Sequence, residues 1–411
     1  MSLFEGPKPC RSVSSYCRII RIVTKLWLYQ PQSSICDMGT LVHQNVQKYY
    51  GSRLDISNSL QTSASCALPS RPIPTSAFDA LKLVHPKVCK NYSGCGLVVP
   101  EKLQGCKILD LGCGSGRDCY VLSKLVGKSG HVIGIDMTEE LVLASRKYIQ
   151  YHQERFGFEK PNTIFVHGYM EKLWETGIQG GSLDILVSNC VICLCPDKRA
   201  VLKEAHRVLK DGGEFYFSDI YSSKIIPENL KRDPVLWGEG MGGCLYWRDL
   251  ISLVLEVGFS TPYLVTASRI VVHNSELQRK TGGINYASGT YRVFKLPKNL
   301  KQSDAVVLYK GTVPDHPDGL EFDVSHSFKK NISVRVDAEM AAVLQYSRFS
   351  ADFSIQSTDN PAPGPKCTSQ YCHLNPFLLA DKPGSMKQCS SPGNKGGCDG
   401  RTSSYCNSNH C

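Results

Sequence analysis

No apolar run in this sequence approaches the ~20 residues that a bilayer-spanning helix needs, so nothing in it reads as a membrane protein. Charge is sparse, at 20% of residues against 42% hydrophobic, the balance of a soluble globular chain. The formal charge of +10 lacks the feature that would tie it to nucleic acid. Its Lys and Arg residues are scattered, with no basic run interleaved with aromatics, and read as solvated surface. No convincing secretory signal precedes the 19 cysteines, so a disulfide framework is not the expectation. Cysteines kept reduced serve soft-metal ligation, thiol chemistry or plain burial. No internal repeat stands out, and no constellation of acid and base side chains is evident.

What the sequence does have is Lys107-Ile-Leu-Asp-Leu-Gly-Cys-Gly-Ser-Gly-Arg117, an apolar run breaking abruptly into glycines. Ile108, Leu109 and Leu111 suit a buried strand. Gly112, Gly114 and Gly116 let the backbone turn tightly and approach a ligand, before a helix begins near Cys119. Asp110 ends the strand, where a carboxylate can meet a cationic or hydroxylated group. A second strand, His131-Val-Ile-Gly-Ile135, ends on Asp136, placed to hold both hydroxyls of a ribose. This leaves a dinucleotide or S-adenosylmethionine as the ligand. Asp110-Leu-Gly-Cys-Gly-Ser-Gly116 resembles motif I of the class I methyltransferases, which favours the sulfonium cofactor.

Residues 106–260 alternate strand and helix, within a cofactor-binding domain expected over 106–274. Strands are expected at Lys107–Leu111, His131–Ile135, Thr163–His167, Ile185–Ser188, Glu214–Asp219 and near Pro262–Val265. Helices are expected at Cys119–Val126, Glu139–Phe156, Lys198–Leu209 and Leu245–Val257. The fold class is therefore α/β, a doubly wound, mostly parallel, Rossmann-like sheet with ligands beyond the carboxyl ends of its strands. Residues 41–105 read as a helical lid over the cofactor, carrying Cys66 and Cys95. Residues 275–358 read as a small appended α+β domain. Residues 359–411, rich in Pro, Gly, Ser and Cys, read as a disordered tail without a clean zinc pattern. Residues 1–40 are acid-poor and Arg-rich, like a mitochondrial presequence, but an extension without order of its own is the preferred reading.

The fourth strand ends in Val187-Ser-Asn-Cys-Val-Ile-Cys-Leu-Cys195, and that end of a doubly wound sheet faces the reactive part of the cofactor. Cys190 serves equally as a buried filler or a site thiol. Cys193, Cys195, Cys113 and Cys119 read as packing residues. Cys66 and Cys95 lie in flexible, glycine- and serine-rich surroundings, and a closing lid brings them towards Cys190. Converging thiolates suit a soft, thiophilic ion.

Several stretches together resemble arsenite methyltransferase of the animal type. They are Tyr49-Tyr-Gly51, Leu60-Gln-Thr62 with Cys66, Gly94-Cys-Gly-Leu-Val98, Asp110–Tyr120, Ile135-Asp-Met137, Ser188-Asn-Cys-Val-Ile192 and Tyr216-Phe-Ser-Asp219. The resemblance runs from about residue 42 to about 353 and resumes weakly at Gly396-Gly-Cys-Asp-Gly400. It implies methyl transfer from S-adenosylmethionine to thiol-bound trivalent arsenic, with arsenite or its thiol conjugates as substrate. It further implies thioredoxin or glutathione as reductant, and a cytoplasmic monomer. The cofactor set it implies is Tyr50, Asp110, Gly112, Gly114, Gly116, Asp136, Met137, Met170 and Asn189. It also implies a Cys66–Cys95 disulfide during turnover.

One departure matters. The family pattern reads Trp-Gly-Glu-Cys-x-Gly-Gly-Ala-Leu-Tyr-Trp, and its cysteine is an arsenic ligand. Here that place is Gly240 and the alanine place is Cys244. On a helix, a shift of four keeps a thiol on the same face, so the expected ligands are Cys95, Cys190 and Cys244. The rival readings are a methyltransferase of a quinone or sterol, indifferent to these cysteines, and a non-enzymatic thiol protein that sequesters metal or arsenic, indifferent to Asp136.

Overall fold

The computed structural model describes residues 32–51, 73–90, 92, 94–300, 302–360, 362 and 371–381. Cys66 and most of the cysteine-rich tail lie outside these residues. The chain divides into two units, Met1–Val42 and His43–Cys411. Of the first, only the start of the helix Gln32–Gly51 is described; everything below concerns the second.

Its centre is an eight-stranded sheet. Five strands are β1 (Lys107–Leu111), β2 (His131–Asp136), β3 (Thr163–His167), β4 (Leu183–Asn189) and β5 (Leu209–Ser222), and three follow: β6 (Leu245–Tyr246), β7 (Tyr263–Ile270) and β8 (Tyr286–Phe294). The order is β3-β2-β1-β4-β5-β8-β7, with β6 alongside β5. The pairs from β3 through β5 are parallel, whereas β5–β8 and β8–β7 are antiparallel. β1 and β4 are buried almost throughout because helices cover both faces, which is why they read as largely apolar runs. The helices Arg117–Val126 and Lys198–Val208 supply that cover, and the second is capped by Asp197, which accepts from the Ala200 N–H. The chain order reverses between β1 and β4, so the crevice above their carboxyl ends is the expected ligand position.

Two sequence expectations change here. The helix foreseen over Glu139–Phe156 is two helices, Glu139–Arg146 and Ile149–Phe156. The boundary at residue 274 also fails to end the sheet, because β8 returns between β5 and β7. The C-terminal elements are β9 (Ala305–Tyr309), β10 (Gly319–Glu321), β11 (Ser327–Lys329), β12 (Ser333–Val336), the helix Ala338–Tyr346 and β13 (Phe353–Ser357). They form a three-stranded sheet, β12-β9-β13, and a β10–β11 hairpin. Their aromatic core (Phe322, Phe328, Phe349, Phe353) is continuous with Tyr263 and Phe294 of β7 and β8. Each such ring contributes about 1.5–3 kcal/mol on burial, and this shared core joins the small sheet to the large one.

Candidate active site

The glycine loop takes its shape from left-handed backbone. Gly112, Gly114 and Gly116 have φ of +71°, +53° and +85°. A Cβ on Gly116 would lie 2.8 Å from the Phe165 ring, and one on Gly112 would run into Val191, yet at Gly114 it would meet nothing within 4 Å. Two glycines are therefore required by packing. The third leaves an open cradle above the end of β1, as a bound nucleoside needs. Gly116→Ala should cost about 1–3 kcal/mol in urea unfolding, through strain and overpacking; an unchanged midpoint would contradict this account of the loop.

Asp136 sits at the edge of that cradle. Its carboxylate accepts from Gly114 N–H at 2.9 Å and Thr138 N–H at 2.8 Å. Burial pushes its pKa up, and the two backbone donors pull it back. Asp110 is placed differently. It is buried, accepts the Cys119 thiol at 3.1 Å, and is pushed well above the usual carboxylate range by burial and then by Asp118. It braces the loop from below.

From the N-terminal side, Gln47 donates to Met137 O at 2.7 Å, Tyr50 donates to Gly238 O at 3.0 Å, and His43 meets Glu171 at 2.8 Å. Met137 and Met170 are half-buried at the ends of β2 and of the loop after β3. These contacts fold residues 43–51 against the carboxyl edge of the sheet.

The thiols meet at the end of β4. Cys95 and Cys190 are joined as a disulfide, with Cα atoms 5.9 Å apart. Cys190 is half-buried and holds φ of +55°, left-handed backbone that costs a non-glycine residue energy and clusters at functional sites. Asn189 positions its partner. Its Oδ1 accepts from Cys95 N–H at 2.9 Å, and its Nδ2 faces Asp118 Oδ2 and Gly96 O, both at 2.8 Å. Arg117 donates to Gly96 O at 2.9 Å and lies 3.1 Å from the Tyr92 ring centroid. One cluster thus ties the thiol loop to the first turn after the glycines. Sequence reading named Asn189 but missed Tyr92, Arg117 and Asp118, which carry no spacing signal of their own. Beside Cys95 opens a cavity of about 340 Å³, whose walls include Tyr216, Thr266, Ser268, Ser288 and Thr290 on β5, β7 and β8.

One expectation about cysteine falls outside the described residues and another changes. Cys95 is bonded to Cys190, and the Cys66–Cys95 disulfide expected during turnover involves Cys66, which lies outside the described residues. Cys244 does not join the pair: among the described residues no three His, Cys, Asp or Glu side chains form a metal-holding group. The helix there ends at Gly238 and the chain runs on in turns, so the same-face argument for Cys244 lapses. Its Sγ donates to Met241 O at 3.2 Å, and burial pushes the thiol up to about 12.

Residues 102–258 match the model of a methyltransferase domain, and residues 302–406 that of the arsenite methyltransferase C-terminal domain. The arsenite methyltransferase of Mus musculus is 48% identical over 364 residues, spanning 88% of this chain and 96% of that protein. The chain belongs to the arsenite methyltransferase family. Its bacterial relative from Aquipseudomonas alcaligenes is 44% identical over 317 residues, 76% of this chain and 90% of that one. An arsenic(III) S-adenosylmethionine methyltransferase from Chlamydomonas reinhardtii, known from its X-ray crystal structure, is similar with a TM-score of 0.67 and 37% identity. That likeness covers 71% of this chain and 99% of the algal one. Two cysteines clamped beside an open glycine cradle thus belong to a family of enzymes and not to a thiol-based store.

Proposed function

We propose that this chain methylates trivalent arsenic held by Cys95 and Cys190, with S-adenosylmethionine lying over Gly114 and Asp136. The observation that carries the reading is the meeting of these two cysteines, 95 residues apart in sequence, at the end of β4 beside the glycine loop. S-adenosylmethionine supplies an electrophilic methyl group on a sulfonium. The chain's part is to strip arsenite of its hydroxyls, fix the arsenic lone pair and aim it, by proximity and orientation. The thiols do the first and the Asn189–Asp118–Arg117 cluster fixes the loop that carries them. No proton has to move at carbon, so the transfer calls for no acid–base pair.

Transfer forms an As–C bond, breaks the C–S bond and formally oxidises arsenic by two electrons. Two thiols closing to a disulfide return those electrons. Cys95–Cys190 is such a pair, and a thiol reductant of the thioredoxin or glutathione class then reopens it. Mono- and dimethylated products, a cytoplasmic monomer and a role in detoxification complete the proposal. Among the described residues no helix is long and apolar enough to cross a membrane.

The test is an incubation of the full chain with labelled S-adenosylmethionine, arsenite and a reductant, the products being separated by chromatography. Methylated arsenicals are expected; label in a quinone or sterol instead, with none in arsenic, would overturn the reading. Asp136→Ala should weaken S-adenosylhomocysteine binding roughly 10- to 100-fold in calorimetry, from loss of one charged hydrogen-bonding group. An affinity within twofold of the parent would place the ribose elsewhere.

A further inference from the structure

Methyl transfer leaves the cavity beside Cys95 without a task. Its volume of about 340 Å³ falls at the low end of the ~300–1,000 Å³ that small-molecule sites enclose. Cys95 borders it, whereas Cys190, the glycines of the loop and Asp136 do not. One wall is the chain just after Cys95, with Leu97, Val98 and Val99. Another is made of hydroxyls. Ser288 and Thr290 stand two apart on β8 and so share a face, and Thr266 Oγ1 on β7 donates to Thr290 Oγ1 at 3.1 Å. Three carboxylates border the space: Glu101, buried and paired with Arg292, and the exposed Asp315 and Glu321. The lining residues include no Lys or Arg, and a cleft lined by one sign of charge concentrates small molecules of the opposite sign.

A thiolate opens a disulfide by attacking one sulfur and expelling the other, through a mixed disulfide. The cysteine that borders the thiol's way in is therefore the one attacked. We propose that this cavity is the reductant's site, where a small thiol without negative charge enters and attacks Cys95 Sγ, expelling Cys190. The proposal rests on the redox reading above and narrows its reductant to small-molecule thiols that are uncharged or cationic. A new S–S bond joins the thiol to Cys95 as the Cys95–Cys190 bond breaks, and the electron pair leaves on Cys190. Cys190 is thus released as thiolate, the form that ligates a soft ion. A second thiol attacks the reductant's sulfur, the electron pair departs on Cys95, and the reductant leaves as its own disulfide. The two reductant thiols lose two electrons and two protons, which Cys95 and Cys190 gain. Because the cofactor cradle forms no part of the cavity, the thiol enters with the cofactor position filled.

The test uses the full chain isolated in oxidised form and three small thiols of similar size: cysteamine, 2-mercaptoethanol and 3-mercaptopropionate. After brief reaction and quenching with N-ethylmaleimide, peptide mass spectrometry locates the mixed disulfide. It is expected on Cys95, with the maleimide on Cys190; the reverse overturns the proposal. Each reduction rate is then divided by that of the same thiol on the urea-unfolded chain, which removes intrinsic reactivity. The quotient should fall at least about tenfold from the cationic to the anionic thiol at low ionic strength, with the neutral one between. The spread should shrink in high salt and in Asp315→Asn/Glu321→Gln, while saturating S-adenosylhomocysteine leaves the rates unchanged. Equal quotients for the three thiols, or reduction blocked by S-adenosylhomocysteine, overturn the proposal. If arsenic methylation still depends on reopening Cys95–Cys190, the functional reading survives that failure. If the chain methylates arsenic through repeated turnovers without ever forming that bond, the redox reading and this proposal fall together.

Discussion

Replacing Cys190 by serine is expected to reduce arsenic methylation at least about 10²-fold while S-adenosylhomocysteine binding stays within a few-fold of the parent. The split follows from where Cys190 sits. Its sulfur joins Cys95, so the variant loses one As–S bond and the anchor that aims the lone pair; misplacement by about 1 Å can alone cost that much. The carboxylate of Asp136 is bonded to Gly114 and Thr138 and not to the one atom that changes. Serine keeps the size of the side chain and meets the same left-handed backbone at φ of +55°, so folding is little affected in reducing buffer. Omitting the reductant should silence the parent too, because Cys95 and Cys190 are then consumed in their own bond. Comparable product formation by the variant and the parent would exclude Cys190 as a ligand. Loss of cofactor binding together with activity would instead make it part of the loop's scaffold.

How much of this was legible in the sequence depends on what each residue type signals. β1 and β4 were legible because parallel strands buried on both faces are largely apolar, and the glycine loop because glycine tolerates its left-handed backbone best. β8 was not. Tyr286-Ala-Ser-Gly-Thr-Tyr-Arg-Val-Phe294 puts Ser288 and Thr290 towards the cavity and hides Arg292 completely, so a central strand carries the composition of a surface one. Cys190 was placed by its position at a strand end. Cys95 came from flexible surroundings and family likeness, and its pairing with Cys190 only from the folded chain. Cys244 was suggested by a helical spacing that the turns after Gly238 do not keep. Cys193 read as packing, and it is buried.

The largest structural effect should come from that hidden arginine. Arg292 is fully buried; its Nε donates to Glu214 Oε1 at 2.6 Å, its Nη1 to Phe322 O at 3.1 Å, and Glu101 Oε2 lies 3.2 Å from Nη1. Glu214 is equally buried and also bonds Arg348, whose guanidinium donates to Glu101 O at 2.8 Å. Burial lowers the Arg292 pKa, but the carboxylates of Glu214 and Glu101 more than restore it, leaving it above the ordinary value. Four charges thus link β5, β8, the segment before β1 and the end of the helix Ala338–Tyr346. Arg292→Ala removes the cation that both buried carboxylates face and leaves Glu214 with Arg348. Breaking a buried pair this way costs about 3–5 kcal/mol, a large share of the ~5–15 kcal/mol that stabilises a typical domain. By contrast Lys82–Asp79, with side chains 57% and 60% exposed, should give less than about 1 kcal/mol on Asp79→Asn. Urea unfolding of the three proteins side by side decides the matter. A loss below about 1 kcal/mol for Arg292→Ala would mean that water enters the site, and the two sheets would then be joined by their aromatic core alone.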